Sequence, residues 1–248
     1  MPVSMCCWYK PASLGVAHAL VSVDVGGISG GSGVERWTLL KNAIDTAQAF
    51  TATFGVSNSA NGAVAVVADR WYHFAAVFSA NNSRVCYLDG GDKATNTNSV
   101  TPTGTDNIRI GTRNASGLGL PANGLIAEVA VWRIALGDGE IAMLAGGALP
   151  MDVNYNSLRY YYPLDAQTGS YEYSKAYGRD VNVMNPTIST NQPRYSSELP
   201  PKLRRRKPVK YFLMGAADAG SGSPNMRRFS QTEYNRPVNI GQEGVTIA

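Results

Sequence analysis

Residues 71–90 read "WYHFAAVFSANNSRVCYLDG", and this stretch decides the fold. Two runs of aromatic, β-branched and small apolar residues are separated by a short segment of Ser and Asn. Asn, Asp and Gly tolerate the positive φ values of tight hairpin turns, so "SANNS" and the following "DGG" predict two successive hairpin connections. The stretch therefore predicts neighbouring antiparallel strands.

Similar strand-like runs occur on both sides of this hairpin, between residues 5 and 165. They are "MCCWYK", "HALVSVD", "RWTLLKN", "AFTATFG", "AVAVVA", "NIRIGT", "LIAEVAVWR" and "LRYYYPLD". The separating segments, such as "SNSANG", "GGDKATNTNSVTPTGTDN" and "NASGLGLPANG", are rich in Gly, Asn, Ser and Asp and are expected to be turns and loops. This pattern indicates an all-β, antiparallel sandwich or barrel.

In "WYHFAAVF" neither alternating set of side chains is polar, which predicts a central strand whose outer face is also covered. One short helix is expected in "LGDGEIAMLAGG". Asp138 and Glu140 suit the start of a helix dipole, and Gly146 suits its end. We expect a single turn that caps the sandwich.

Composition limits the class of protein. The chain has 248 residues, 44% of them hydrophobic, which is enough for one large all-β domain or for one domain with an extended segment. Cys6, Cys7 and Cys86 have neither disulfide nor zinc-site spacing, and Cys6 and Cys7 should point to opposite faces of a strand. We expect a reduced compartment, no membrane span and no secretory leader.

The order of these pieces resembles the concanavalin A-like, laminin-G-like jelly roll. The resemblance rests on Trp71 and His73, "YLDG" at 87–90, "GLIAEV" at 124–129, "WRIAL" at 132–136 and "YYPLD" at 161–165. It implies a jelly-roll β-sandwich over residues 1–166, followed by an extended C-terminal arm.

The chain departs from that family at three points. Ala127 stands beside Glu128 where the family commonly has a second acid, and Gly137 replaces the Ser that caps the helix. The chain also begins after the position of the family's first strand. Because "GRDVNVMNPTIS" resembles that strand, residues 178–189 are expected to complete the sheet.

No catalytic site is expected. Glycoside hydrolases use two carboxylates across the scissile bond, and the sequence around Glu128 offers no partner, so this acid is interpreted as a structural one at a sheet edge. His18 and His73 lie in no recognisable motif with a Cys or Ser nucleophile, which argues against a triad or a zinc site.

No cofactor is expected. Some members of the family that this chain resembles bind calcium through loop carboxylates, and Asp89, Asp92 and Asp106 lie in loops that would suit it. Their spacing matches no calcium-binding loop, so they are interpreted as solvated acids in turns. Sugar binding is the stronger alternative, since "SANNS" and "RNASGLG" are polar loops, but neither contains an aromatic platform.

Residues 199–248 differ from the rest of the chain. They contain nine Lys and Arg residues and three acidic residues, which gives this segment a net charge of +6. Because the whole chain has a net charge of +4, the remaining residues carry −2. "PPKLRRRKP" favours an extended backbone, and "VKYFLMG" is suited to adding a strand to another sheet. The expected partner-binding residues are Lys202, Arg204, Arg205, Arg206, Lys207, Lys210, Tyr211, Phe212 and Leu213. The tyrosine-rich residues 167–198 are expected to lie extended along a protein surface.

A jelly roll with such an arm resembles accessory virion proteins of tailed bacteriophages. The resemblance implies a non-enzymatic structural protein, a capsid decoration or another head or tail accessory protein, located in the virion after assembly in the host cytoplasm. Its expected partners are major capsid or tail proteins and further copies of itself. The alternative is a lectin-like adhesin that binds glycans during host attachment. Membranes are not expected as partners, nor is nucleic acid, because the arginines lack interleaved aromatic residues.

Overall fold

The computed structural model describes residues 2–25, 34–105, 107–115 and 117–164, with the short pieces 171–172, 175–176, 181–182, 240–241 and 244–245. The chain forms two compact units, residues 1–208 and 209–248. In the second unit, Ile240–Gly241 pairs antiparallel with Gly244–Val245. The partner-binding residues expected in the arm lie outside the described residues and stay a prediction.

Thirteen strands lie between residues 3 and 162 of the described chain. In chain order they are β1 (Val3–Pro11), β2 (His18–Asp24), β3 (Arg36–Lys41), β4 (Thr46–Thr53), β5 (Val56–Ala65), β6 (Tyr72–Ala80), β7 (Ser83–Leu88), β8 (Gly91–Asn96), β9 (Asn107–Ile110), β10 (Arg113–Ala115), β11 (Gly117–Gly119), β12 (Gly124–Trp132) and β13 (Leu158–Tyr162). A six-stranded sheet has the order β13-β12-β1-β6-β7-β8, and a five-stranded sheet has the order β5-β4-β3-β2-β9. This confirms the antiparallel jelly-roll sandwich.

The main core lies between the two sheets. In β1, Met5, Cys7 and Tyr9 are fully buried and point into it, and Leu39 and Phe74 reach it from β3 and β6. Since alternate residues of a strand point to opposite faces, Cys6 points the other way, as its sequence position predicts. Burial raises the pKa of both thiols, so they are packed as small apolar groups rather than as nucleophiles.

The hairpins of residues 71–90 form as predicted. Ala80 pairs with Ser83 across "SANNS", and Asp89 and Gly90 form the next turn with φ values of 51° and 75°. Three segments expected to be loops contain strands instead: "SNSANG" lies within β5, "GDKATN" forms β8, and "NASGLGLPANG" contains β11 and part of β10. β5 and β8 are terminal strands of their sheets and are partly exposed, so their polar side chains face water rather than a core.

The outer face of the six-stranded sheet is covered, which confirms the two-sided burial predicted for "WYHFAAVF". Ala75, Val77 and Trp132 belong to a second hydrophobic cluster on that face. The covering segment runs from residue 136 to 158 and contributes Leu136, Ile141, Leu144, Val153 and Leu158 to it. Trp132 is fully buried, and its Nε1–H donates a hydrogen bond to the Val153 carbonyl at 2.9 Å. Trp132 therefore holds the covering segment against the sheet.

The predicted helix is α1, Asp138–Ala145, and its eight residues make two turns rather than one. Ile141 and Leu144 are buried against the sheet, and this tertiary packing stabilises the second turn. Gly137 occupies the N-cap, where its N–H donates to Glu140 Oε2 at 2.7 Å. Half of a capping box therefore forms although the capping hydroxyl is missing.

The predicted completion of the sheet by residues 178–189 stays a prediction. Within that range the structure describes Val181–Asn182, which pairs antiparallel with Tyr171–Glu172 in a separate two-stranded ribbon. None of the helices in the described part of the chain has the length and hydrophobicity that a membrane span requires.

Candidate ligand-binding face

Two rows of side chains cross the outer face of the five-stranded sheet. The strand register aligns Phe50, Thr38, Ser22 and Arg109 in one row, and Ala52, Arg36, Asp24 and Asn107 in the next. The intervening Trp37 and Ala49 point into the core between the sheets. Because side chains alternate along a strand, both rows point away from that core. We call this surface, together with the adjacent β10, the arginine face.

Asp24 is the central acceptor of the arginine face. Its carboxylate is fully buried and accepts hydrogen bonds from Ser22 Oγ at 2.9 Å and from the Asn114 N–H at 3.1 Å. Arg109 Nε donates to its other oxygen at 3.1 Å. These bonds compensate the buried charge and tie β2, β9 and β10 together.

Two guanidinium groups lie against one aromatic ring. The Cζ atoms of Arg36 and Arg113 are each 5.4 Å from the centre of the Phe50 ring, a distance suited to cation–π contact. Burial, followed by the charge of Arg36, lowers the pKa of Arg113 to about 10. Arg113 therefore stays charged at neutral pH, although its surroundings disfavour the charge.

The β10–β11 hairpin positions Arg113. Asn114 Nδ2 donates to the Val25 carbonyl at 3.0 Å, and the Asn114 carbonyl accepts a bond of 3.0 Å from Arg36. Together with the bond from its N–H to Asp24, these contacts fix β10 beside the end of β2. The arginine at 113 is thus held by its neighbour in the chain rather than by its own hydrogen bonds.

The arginine face has a buried floor and a partly exposed rim. Ser22 and Thr38 are fully buried and their hydroxyls are 3.2 Å apart. Phe50, Arg109 and Arg113 are partly exposed. The ring and these two arginines are therefore accessible parts of the arginine face, whereas Ser22, Thr38 and Arg36 are buried.

The polar loop "RNASGLG" contains no aromatic residue, but the fold brings one to it. Phe50 belongs to β4 and contacts Arg113 across the sheet. The signal in the sequence is the alternation of "RWTLLK", where Arg36 and Thr38 alternate with the core residues Trp37 and Leu39. This alternation indicates that the strand has a polar outer face, but it does not indicate which strands pair with each other.

A small cavity of about 10 Å³ lies under the covering segment and is lined by Cys6, Trp8, His73 and Glu128 with Leu144, Ala148, Leu149 and Pro150. Its volume suits one water molecule. Both ring nitrogens of His73 lack a hydrogen-bond partner in the described residues, and burial lowers the pKa of His73 to about 3. The ring is therefore neutral at pH 7.

The predicted location of Glu128, at the edge of a sheet, is wrong. Glu128 belongs to β12, which lies between β13 and β1 inside the sheet. The register of β12 against β1 shifts at this point, and Glu128 has a φ of 53°. Its carboxylate is buried and accepts a bond of 2.6 Å from the Tyr161 hydroxyl.

The candidate calcium ligands make backbone contacts. Asp89 accepts the His73 N–H at 2.8 Å, and Asp92 accepts the N–H groups of Ala63 and Val64 at 3.1 and 3.0 Å. Asp106 lies outside the described residues. Among the side chains that the structure describes, no three of His, Cys, Asp or Glu come close enough to share a metal ion.

Comparison with known proteins agrees with this architecture. The family model described as "Concanavalin A-like lectin/glucanases superfamily", of the laminin G type, matches residues 2–142, which is more than half of the chain. The chain belongs to this superfamily. No curated protein sequence is similar enough to count as a match.

Solved structures share the fold of this superfamily member at low sequence identity. A candidate carbohydrate-binding protein from Bacteroides ovatus is 16% identical, with a TM-score of 0.53 over 77% of this chain and 56% of that one. The CBM40 module of the Ruminococcus gnavus IT-sialidase, bound to α2,3-sialyllactose, is 19% identical, with a TM-score of 0.50 over 58% of this chain and 82% of that one. At these identities the likeness shows the fold alone.

Proposed function

We propose that the chain is a non-enzymatic glycan-binding protein and that the arginine face holds the glycan. The observation that carries this proposal is the partly exposed ring of Phe50, which lies beside Arg113 and next to the buried Thr38 in the same row. An aromatic ring flanked by a few fixed polar groups has the composition of a small-ligand site.

The chemistry of a sugar fits this arrangement. The C–H groups on one side of a pyranose ring pack on an aromatic ring, and its hydroxyls accept hydrogen bonds from guanidinium donors. Arg109 is fixed by Asp24 before any ligand arrives, so little side-chain freedom remains to be lost on binding.

The comparisons support a glycan as the ligand. The superfamily description includes lectins, and the two structures with the same fold are a candidate carbohydrate-binding protein and a module bound to a sialylated sugar. The non-enzymatic part of the proposal is supported by Glu128, which is buried and bonded to Tyr161, with no other acid among the described residues that line its cavity.

The test is a glycan array with the full-length protein and its Phe50→Ala variant. We expect selective binding that weakens about tenfold or more in Phe50→Ala, because the packing surface for the sugar is lost. Phe54→Ala is the matched control, since Phe54 is 75% exposed in the turn after β4 and lies outside the arginine face. Loss of binding in both variants, or in neither, would contradict the assignment of the face.

A second function rests on the sequence of residues 199–248. Their net charge of +6 against −2 for the remainder, followed by the apolar run "YFLM", supports a segment that binds another protein. We propose on this ground an accessory virion protein, such as a capsid decoration, that the arm attaches to capsid or tail proteins. The glycan-binding face and the arm are compatible in one protein that attaches a virion to its host.

Deletion of residues 199–248 tests the arm. We expect the shortened chain to keep the unfolding temperature of its sandwich and to be lost from purified particles, because the attachment segment is gone. Replacement of Arg204, Arg205 and Arg206 by Gln, which keeps the length of the arm, should weaken incorporation in a salt-dependent manner. Normal incorporation of the deleted chain would refute the attachment role.

A further inference from the structure

The arginine face carries more positive charge than its described residues neutralise. This face contains the guanidinium groups of Arg36, Arg109 and Arg113, whereas its two rows contain one carboxylate, that of Asp24. The ion pair of this face joins Asp24 to Arg109. Among the described residues, no carboxylate makes an ion pair with Arg36 or Arg113.

Each of the two arginines has a buried Nε donor without a partner among the described residues, whereas Nη1 of Arg36 donates to the carbonyls of Val34 and Asn114. Arg36 is nine-tenths buried at 9% exposure, and its Nε is unpartnered among the described residues. The Nε of Arg113 is likewise buried and unpartnered. Native proteins leave few buried donors unpaired, so such groups point to a missing acceptor.

The Phe50 ring holds the two like charges together. Each guanidinium carbon lies 5.4 Å from the same ring centre, so the two carbons are at most about twice that distance apart. Two guanidinium groups at this separation repel each other. An anion bound between them is attracted to both, and these attractions outweigh the repulsion. Planar guanidinium groups suit carboxylate and sulfate oxygens because they donate two parallel hydrogen bonds.

We infer that Arg36 and Arg113 bind the acidic group of a negatively charged sugar residue, with the adjacent sugar ring packed on Phe50. This inference rests on the proposed function and narrows the ligand to acidic glycans. A carboxylate and a sulfate ester share the chemistry that the pair recognises. A neutral glycan can offer hydroxyl oxygens to these donors but no charge to balance the two guanidinium groups.

The test compares acidic probes with neutral counterparts, with the full-length protein in isothermal titration calorimetry; only the second pair below differs in its carboxyl groups alone. The pairs are 3′-sialyllactose with lactose, and trigalacturonate with its methyl ester; a heparin-derived tetrasaccharide reports on sulfate. We expect each acidic probe to bind about tenfold or more tightly than its neutral partner, and high salt to weaken only the acidic probes.

Arg113→Gln should weaken the acidic probes about tenfold or more beyond any loss for the neutral probes, while Arg113→Lys should restore part of that difference. Arg133→Gln is the matched control, because it removes the same charge from an exposed arginine that follows β12 in the other sheet. Thermal unfolding of each variant verifies that it is folded.

The outcomes separate the inference from the proposed function. A preference for acidic probes that depends on Arg113 supports both the inference and the glycan-binding function. If only the heparin probe shows this preference, the acidic group that the pair recognises is a sulfate and not a carboxylate. Equal binding of charged and neutral probes that depends on Phe50 overturns the inference and keeps the glycan-binding function. If Arg113→Gln still binds the acidic probes as tightly as the wild-type protein, the assignment of the acidic group to Arg36 and Arg113 is overturned. If the protein binds none of the probes, both the inference and the glycan-binding function are overturned.

Discussion

Replacement of Trp132 by alanine is expected to remove a large share of the stability of the sandwich. The side chain is fully buried between the six-stranded sheet and its covering segment. Truncation of a buried Trp to Ala costs about 3–5 kcal/mol of unfolding free energy through lost burial and the cavity left behind. The Val153 carbonyl also loses its donor, which adds about 1 kcal/mol or more. Domains are commonly stable by about 5–15 kcal/mol, so this loss is a large share.

Chemical denaturation followed by circular dichroism measures this effect. Trp132→Phe is the matched variant, because it keeps most of the apolar volume and removes the Nε1–H donor; we expect a cost of about 1–2 kcal/mol. Hydrogen exchange should rise first in residues 149–153, where the lost bond held the covering segment. A cost below about 1 kcal/mol for the alanine variant would show that the segment is not packed on Trp132.

Acid is expected to destabilise the protein through His73. Burial lowers the pKa of His73 from 6.5 to about 3. Between these pH values the imidazole ring therefore binds a proton in the unfolded chain but stays neutral in the folded chain. Stability is therefore complete above pH 6.5 and is lost as the pH falls toward 3. Each pH unit within this window costs up to about 1.4 kcal/mol, which amounts to about 2–3 kcal/mol between pH 6.5 and about pH 4.5.

His73→Leu isolates this contribution. Leucine removes two buried nitrogens that have no partner in the described residues, so we expect the stability at pH 7 to change by about 1 kcal/mol or less. At about pH 4.5 the variant should be more stable than the wild-type protein by about 2–3 kcal/mol. Burial also lowers the pKa of His18. The pKa values of Glu35, Asp45 and Asp138 are lowered too, so the slope that remains in the variant reports all these groups together. Parallel stability curves for the two proteins would exclude His73 as the acid-sensitive group.

The hairpins at 71–90 could be predicted because their contacts are local. Each of their strands pairs with its neighbour in the chain, and turn chemistry at Asn81 and Gly90 specifies where the chain reverses. The polar first part of β5, all of β8 and the β10–β11 hairpin were missed because strand pairing stabilises them and not their own sequences. The second turn of α1 depends likewise on packing against the sheet, which no local pattern records.

The arginine face could not be predicted as a site. Its parts come from β2, β3, β4, β9 and β10, and their meeting depends on a register between strands far apart in the sequence. Composition located an excess of arginine only in the arm, where basic residues are consecutive. Arg36 and Arg113 are separated by 77 positions, and only the fold shows that they contact one ring.

The segment over Trp132 has a consequence for the proposed glycan binding. It covers the outer face of the six-stranded sheet, so the proposed site lies on the arginine face of the other sheet, where one sugar residue gains only modest affinity. Tight adhesion then requires repetition. When several copies are held within reach of one polysaccharide, each later contact becomes intramolecular, and avidity exceeds the single-site affinity by about 10²–10⁴-fold without any new contact.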